Sequence, residues 1–290
     1  MTPRPLVIDL DHSVGPLPNR LVLPMEHWQE TLRFGCPVGA VRRLRRVLDD
    51  TLPAEHGPVF LGSGDFHHLS WPLIERAGAA QPFQVVVLDN HPDNMRYAFG
   101  VHCGSWVRRV AMLPQVLHVH VVGITSADVG RAHAWENYLA PLRQGRLSYW
   151  CLGTDMAWPR WLGVEQAFHV FSEPDALVRA FCAMQRHVPA HTYLSIDKDV
   201  FAPEVARTNW DQGRLQLEHA LALIDGLPGR LIGSDVTGEV SHYRYRSWLK
   251  RKLSALDAQP PVVAGELAAW QAQQHALNLR LLAAIAARMR

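Results

Sequence analysis

The stretch Val85–Asp93 places several potential metal ligands directly after a run of strand-forming residues. Asp89, His91 and Asp93 are spaced two residues apart, and side chains at this spacing point to the same face of an extended backbone. Carboxylates and imidazoles bind divalent metals, and open α/β sheets place their ligands beyond the carboxyl ends of strands. The stretch therefore predicts part of a metal site. The alternative is a polar turn that only closes the strand.

A second stretch, Thr192–Phe201, combines strand-forming residues with two acidic ones. On an extended strand Asp197 and Asp199 share one face, and Lys198 lies on the other. Two carboxylates this close repel each other unless a cation lies between them. Alone, the stretch would indicate a solvated strand end with a local ion pair. Together with the first stretch, it favours a shared metal site.

The composition is that of an ordinary globular protein. Of 290 residues, 48% are hydrophobic and 19% are charged, and the net charge of +2 gives no reason to expect nucleic acid as a partner. No segment has the roughly 20 apolar residues that a membrane-spanning helix needs, and no secretion signal is recognisable. The four cysteines are scattered without a C-x-x-C pair, which fits a reducing, cytoplasmic location.

Apolar periodicity predicts that strands and helices alternate along the chain. Strands are expected at residues 6–10, 58–61, 85–89, 116–123, 148–152, 168–171, 192–201 and 229–236, and helices at 28–34, 38–52, 173–185, 214–224 and 265–290. This alternation predicts a single α/β domain over residues 1–290, a three-layer α/β/α fold with a mostly parallel sheet. The C-terminal helix, 265–290, is a candidate interface for a homo-oligomer.

The ends of these strands and the loops after them carry the residues with potential chemistry: His67, Asp89, His91, Asp93, His102, Asp197, Asp199 and Glu239. In order and interval, over about residues 55–240, these segments resemble the arginase/agmatinase (ureohydrolase) family. The family pattern is a Gly-Gly-Asp-His turn, a D-x-H-x-D strand end, an S-x-D-x-D strand end and a late acidic strand end. The corresponding segments here are 62–67, 89–93, 195–199 and 235–239.

The resemblance implies an arginase-like fold and a centre of two Mn²⁺ ions. One ion would be held by His67, Asp89, Asp93 and Asp197, and the other by Asp89, His91, Asp197 and Asp199. Ligation by carboxylates and imidazoles without thiolates also suits Mn²⁺ on general grounds. Two such ions can generate a hydroxide near neutral pH. In this family it would attack the central carbon of a guanidinium group and release urea and an amine.

The resemblance also implies roles for residues beside the metals. His102 corresponds to the histidine that passes a proton to the leaving amine, a role that a near-neutral pKa suits, and Asp93 is grouped with it as catalytic. Glu239 corresponds to the acid that pairs with the substrate guanidinium. The alternatives are that His102 is a loop histidine capping a helix start and that Glu239 is a surface acid at a strand end.

Two departures from the family pattern affect the ligands and the substrate. Phe66 is inserted before the histidine, so that either His67 or His68 could be the ligand, and His67 is preferred. The loop 94–101 is short and lacks most of the Asn, Ser and Thr residues with which arginases bind the ends of free arginine. Free arginine is therefore not the expected substrate.

A third departure lies at Trp210 and Asp211, where the family has a Pro/Gly-rich segment. These residues are expected to bind substrate in the channel, or simply to fold the loop. The expected substrate is a guanidino small molecule or an arginine side chain within a peptide. Two alternative functions are a metal-dependent amide hydrolase (deacetylase) of the same fold and a non-catalytic metal-binding protein. Deacetylase relatives use one zinc and would not need all of these acids.

Overall fold

The core of the fold is a nine-stranded parallel sheet, seen in a computed structural model that describes residues 3–78, 81–153, 158–256 and 265–289. The strands are β1 Leu6–Asp9, β2 Leu21–Pro24, β3 Gly35–Cys36, β4 Val59–Phe60, β5 Phe83–Leu88, β6 Val101–His102, β7 Val116–Ile124, β8 Leu147–Leu152, β9 Phe168–Phe171, β10 His191–Asp197 and β11 Leu231–Thr237. The order across the sheet is β2-β1-β4-β11-β10-β5-β7-β8-β9. All neighbours in it are parallel, whereas β3 and β6 form a small antiparallel pair.

Helices lie between the strands along the chain and also follow the last strand, β11. They are α1 Gln29–Leu32, α2 Val38–Thr51, α3 Ser70–Arg76, α4 Val107–Ala111, α5 Leu139–Arg143, α6 Pro159–Leu162, α7 Pro174–Gln185, α8 Leu217–Asp225, α9 Trp248–Leu256 and α10 Leu267–Arg288. The helix expected at 265–290 is thus present as α10, although Arg290 lies outside the described residues. None of the helices in the described part of the chain is long and apolar enough to cross a bilayer.

Strand β5 shows how the sheet is buried on both faces. Val85 and Val87 pack in one apolar core with α2, α3 and α4, whereas Val86 and Leu88 pack in a second core with α7, α8 and α10. Burial on both faces explains why the sequence of β5 is continuously apolar instead of alternating. The expected three-layer α/β/α fold with a parallel sheet is confirmed.

The acidic segments do not continue their strands as expected. β5 ends at Leu88, so that Asp89 begins a loop in which Asp93 adopts a left-handed backbone with φ 47°. β10 ends at Asp197, and Lys198–Val200 forms a turn of 3₁₀ helix. The prediction of one strand from 192 to 201 was therefore wrong beyond Asp197. In both segments, the carboxylates are brought together by turns, whose backbone amides they also cap.

Candidate metal centre and cavity

Three strands from the middle of the sheet lead to the candidate centre: β10 and β5 are neighbours, and β11 lies between β10 and β4. β4 leads into a 3₁₀ helix, Gly64–Leu69, that carries His67. β5 leads into the loop of Asp89, His91 and Asp93, and β10 ends at Asp197. Because parallel strands end at the same edge of a sheet, these segments lie close together in space although they are far apart in the sequence.

Among the described residues, two groups of side chains lie close enough to hold a metal ion, and they share Asp89. The first group is His67, Asp89 and Asp93, and the second is Asp89, His91 and Asp199. Within each group, the potential ligand atoms all lie within 4.8 Å of one another.

The first group is centred on Nδ1 of His67. This atom lies 3.1 Å from Oδ2 of Asp89 and 2.9 Å from Oδ2 of Asp93. The side chain of Asp197 lies just outside the group, with its Oδ2 atom 3.4 Å from the same nitrogen. Asp197, which was expected as a metal ligand, therefore lies next to the first group but is not a member of it.

The second group is arranged in the same way around Nδ1 of His91. This nitrogen lies 2.9 Å from Oδ2 of Asp199 and 3.6 Å from Oδ1 of Asp89. All six residues expected as metal ligands therefore meet in one place. The ligand roles themselves remain a proposal.

Of the two histidines that follow Phe66, His67 is the one in this cluster. His68 is fully buried elsewhere, with its Nε2 atom 3.8 Å from the sulfur of Cys36. Burial lowers the pKa of His68 well below the ordinary histidine value, so that it is a neutral core side chain. The geometry favours His67 as the ligand.

The carboxylates of the centre are buried close to one another, which disfavours their charged forms unless a cation lies between them. Burial, together with the charge of Asp89, raises the pKa of Asp93 and of Asp199 to about 7. Burial and the neighbouring Asp199 also raise the pKa of Asp197. Asp89 differs, because hydrogen bonds from His67 and His91 outweigh its burial and lower its pKa. Such a set of buried oxygen and nitrogen donors, without a thiolate in either group, fits Mn²⁺ or a similar divalent ion.

Metal binding at this centre is expected to weaken as the pH falls. In the metal-free protein, burial opposes the charged form of His67 and His91, but hydrogen bonds and charges from the surrounding aspartates outweigh it and raise the pKa of both. A metal binds only neutral imidazole, so protons compete with the metal below these raised values and are released on binding. Calorimetric titration with Mn²⁺ between about pH 6 and 8, in two buffers of different ionisation enthalpy, measures both effects. An affinity that does not change over this range would contradict the expectation.

Buried hydrogen bonds orient His67 and Asp93 from outside the centre. Nε2 of His67 lies 3.0 Å from Oγ of Ser195, whose hydroxyl donates to Asp235 at 2.7 Å. The indole of Trp106 donates to Oδ2 of Asp93 at 2.6 Å. Partners of this kind fix the tautomer and the orientation of a metal ligand. Asp235, which the sequence placed only in the late acidic strand, is therefore a supporting residue behind His67.

His102 lines the cavity above the centre and also caps a turn. Its Nδ1 atom accepts a hydrogen bond from the backbone of Gly104 at 3.0 Å, and its ring stacks on Phe34 and meets the edge of Tyr97. Burial lowers the pKa of His102 to about 4, below the near-neutral value expected from the sequence. At neutral pH the imidazole is therefore uncharged and carries its proton on Nε2. The capping role considered from the sequence is present, and the ring also lies in the cavity, where the role in proton transfer stays a prediction.

Glu239 is placed differently from the expected substrate-binding role. It is 2% exposed and does not belong to the described residues that line the cavity. Its Oε1 atom lies 2.6 Å from Nζ of the fully buried Lys198 and accepts a hydrogen bond from Asn278 of α10, also at 2.6 Å. Lys198 in turn donates to Gln274 of α10 at 2.7 Å. Glu239 is thus the internal counter-ion of Lys198, and the expected pairing with a substrate guanidinium has no support in this geometry.

Trp210 and Asp211 do line the cavity, as the sequence suggested. The indole of Trp210 meets the ring of His91 edge-on, with 5.9 Å between the ring centroids. Asp211 lies 2.6 Å from Nε2 of the same ring. Both residues therefore contact a candidate metal ligand directly, which the sequence alone did not indicate.

The cavity above the centre has a volume of about 500 Å³. Three of its lining residues, Asp128, His133 and Glu136, come from the segment after β7 and were missed from the sequence. The sequence contained one indication of their role, which is that this segment follows the carboxyl end of a central strand. Of the described residues that line the cavity, none is Lys or Arg. The acids make the wall of the cavity acidic.

Comparison with known proteins supports the fold. No protein-family model matches the sequence. An uncharacterized protein of Thermotoga maritima is 28% identical over 215 residues, which are 73% of this chain and 71% of that protein.

Solved structures give the same fold. Proclavaminate amidino hydrolase from Streptomyces clavuligerus superposes with a TM-score of 0.51 at 18% identity, covering 87% of this chain and 71% of that one. Trypanosoma cruzi formiminoglutamase with Mn²⁺ gives 0.54 at 14% identity, covering 86% and 72%. Formimidoylglutamase from Bacillus subtilis gives 0.53 at 13% identity, covering 96% and 74%. The chain therefore has the fold of the arginase/ureohydrolase family.

Proposed function

We propose that the protein is a hydrolase, dependent on two Mn²⁺ ions, that cleaves a guanidino group to urea and an amine. The observation that carries the proposal is the pair of ligand groups that share Asp89 at the base of an acidic cavity. His67, Asp89, Asp93, His91 and Asp199 would hold the ions, with Asp197 beside them. When bound, the two ions supply a hydroxide nucleophile at neutral pH and neutralise the carboxylates.

The rest of the cavity is suited to a cationic substrate. Asp128 and Glu136 present carboxylates to it, and none of its described lining residues offers a balancing Lys or Arg. A guanidinium can form two parallel hydrogen bonds with a carboxylate, and the attraction is strengthened where water is partly excluded. The cavity therefore concentrates and orients the positively charged end of the substrate over the candidate metal centre.

His102 would act as a hydrogen-bond donor towards the leaving amine. Its imidazole is neutral at physiological pH because burial lowers its pKa to about 4. Because Nδ1 accepts the N–H of Gly104, the neutral ring keeps its hydrogen on Nε2 and can donate a hydrogen bond from there to the nitrogen of the leaving amine. The hydrogen bond from Gly104 to Nδ1 holds the ring in one orientation while it does so.

The loop 94–101 argues against free arginine as the substrate. Asn94, the amide residue at the start of the loop, is fully buried. Its Nδ2 atom donates to the backbone oxygen of Tyr138 and to the hydroxyl of Tyr149. The loop residues that reach the cavity are Met95 and Tyr97. Arg96, the cationic residue of the loop, lies over the ring of Tyr138 and is not among the residues that line the cavity. The described cavity lining therefore offers no Lys or Arg as a partner for an α-carboxylate. An arginine side chain within a peptide, whose carboxylate is blocked, fits this cavity better.

Urea release by the Mn²⁺-loaded protein from three substrates tests this specificity. We expect kcat/KM for an arginine blocked at both ends to exceed that for free arginine by at least about 10-fold, because the unpaired carboxylate of free arginine faces the acidic wall. Agmatine, which has an amine and no carboxylate, distinguishes a small diamine-type substrate from a peptide. A higher kcat/KM for free arginine than for the blocked form would contradict the proposed substrate class, although not the hydrolysis itself.

A further inference from the structure

Asp211 contacts a candidate metal ligand without belonging to either ligand group. Its side chain is 63% exposed, yet its Oδ1 atom lies 2.6 Å from Nε2 of His91. The other ring nitrogen of His91, Nδ1, faces Asp199 at 2.9 Å and Asp89 at 3.6 Å. Nδ1 of His91 therefore faces the candidate metal centre, and Nε2 faces Asp211.

A fully buried side chain, Asn90, holds the carboxylate of Asp211 in place. Its Nδ2 atom donates to Oδ2 of Asp211 at 3.1 Å and to the backbone oxygen of the same residue at 3.0 Å. Its Oδ1 atom accepts from the backbone N and the hydroxyl of Thr125, at 3.1 and 2.6 Å. Asn90 thus ties the loop of Asp211 to the loop of His91 and to the end of β7. A carboxylate on an exposed loop gains a fixed position in this way.

We infer that Asp211 is a positioning residue that orients His91 for one of the two metal ions. A neutral imidazole has one N–H, and Asp211 as acceptor keeps that hydrogen on Nε2, which leaves the lone pair of Nδ1 free for the metal. Histidine ligands commonly donate their second nitrogen to a carboxylate, and loss of this partner typically lowers metal affinity by about 10–100-fold. The inference rests on the metal centre of the proposed function, and it replaces the expectation that Asp211 binds substrate.

The inference predicts an effect on one metal site only. His91 belongs to the second ligand group and not to the first, which is built around His67. Loss of the Asp211 contact therefore weakens the second site and leaves the first unchanged. A general role of Asp211 in folding its loop would weaken both sites together or neither.

The variant Asp211→Asn tests this in the full-length protein. Mn²⁺ is titrated into metal-free protein, and calorimetry gives the affinity of each site, while electron paramagnetic resonance reports the coupled spin signal of an ion pair. We expect the second site to be weakened by about 10–100-fold, with loss of the coupled signal at limiting metal. We expect Asp211→Glu, which keeps a carboxylate, to restore part of the affinity.

The matched control is Glu136→Gln, because Glu136 also pairs with a histidine in the same cavity. Its Oε1 atom lies 3.1 Å from Nδ1 of His133, and neither residue belongs to a ligand group. This variant is expected to bind both ions as the unmodified protein does. Unchanged affinity of both sites in Asp211→Asn, or an equal loss at both, would overturn the inference. Two bound ions in the unmodified protein without urea release would refute the proposed function and leave the role of Asp211 to be decided by the titration.

Discussion

Replacing Asp89 with asparagine is expected to lower Mn²⁺ affinity by more than about 100-fold and to abolish urea release. Asp89 is the one described residue that belongs to both ligand groups, so its loss removes a carboxylate from each. Even the loss of a residue that only supports a ligand costs about 10–100-fold, and a shared ligand must cost more. Asparagine keeps the shape of the side chain and can still accept the backbone N–H of His91. Metal content after dialysis and the initial rate of urea release measure the two effects.

The matched control for this variant is Asp128→Asn. Asp128 also lines the cavity, but it lies in neither ligand group. It is expected to keep two bound ions, with any effect confined to KM for a cationic substrate. If Asp89→Asn retained two ions at the affinity of the unmodified protein, the assignment of the metal centre would be wrong.

Replacing Lys198 with methionine is expected to destabilise the metal-free protein by about 3–5 kcal/mol. The substitution leaves the carboxylate of Glu239 buried without its counter-ion, and removing one member of a buried pair typically costs this much. Burial lowers the pKa of Lys198, but Glu239 opposes this shift and favours the charged amine. The change in the free energy of unfolding is measured by denaturation with guanidinium chloride.

A second substitution separates the effect of the unpaired Glu239 charge from the other effects of replacing Lys198 with methionine. Adding Glu239→Gln to Lys198→Met removes the uncompensated charge while Asn278 can still donate to the side chain at position 239. The double variant is expected to recover most of the lost stability. Lys252→Met, a change of the same type at an exposed position where the amine lies over the ring of Trp248, is expected to cost less than about 1 kcal/mol. A loss below about 1 kcal/mol for Lys198→Met would show that the amine is not charged, or not buried, in solution.

The cluster of candidate ligands could be predicted because it depends on local pattern and sheet topology. Asp89, His91 and Asp93 follow an apolar run, Asp197 and Asp199 follow another, and parallel strands end at a common edge. The backbone conformation that brings these side chains together was not predictable in the same way. An extended backbone and a tight turn both bring alternate side chains together, and the turn was decided by the contacts of the folded chain, such as the cap from Asp89 to the His91 backbone.

The surroundings of Glu239 show what sequence reasoning could not supply. A carboxylate at a strand end can face a cavity or a buried cation, and the choice depends on side chains from distant elements. Here Lys198 and the amide of Asn278 contact the Glu239 carboxylate, and the amide oxygens of Gln274 and Asn278 accept from Lys198. A signal was present, since two amides four residues apart lie on one face of an otherwise Ala- and Leu-rich helix. Buried amides of that kind indicate a polar partner, but not which one.

Urea release from an arginine blocked at both ends, before and after metal removal, is the most direct test of guanidino hydrolysis at this centre. The Mn²⁺-loaded protein is predicted to release urea, the chelated protein to release none, and added Mn²⁺ to restore the rate. Absence of urea from the blocked arginine, free arginine and agmatine by a protein that holds its metal ions would contradict the proposed function.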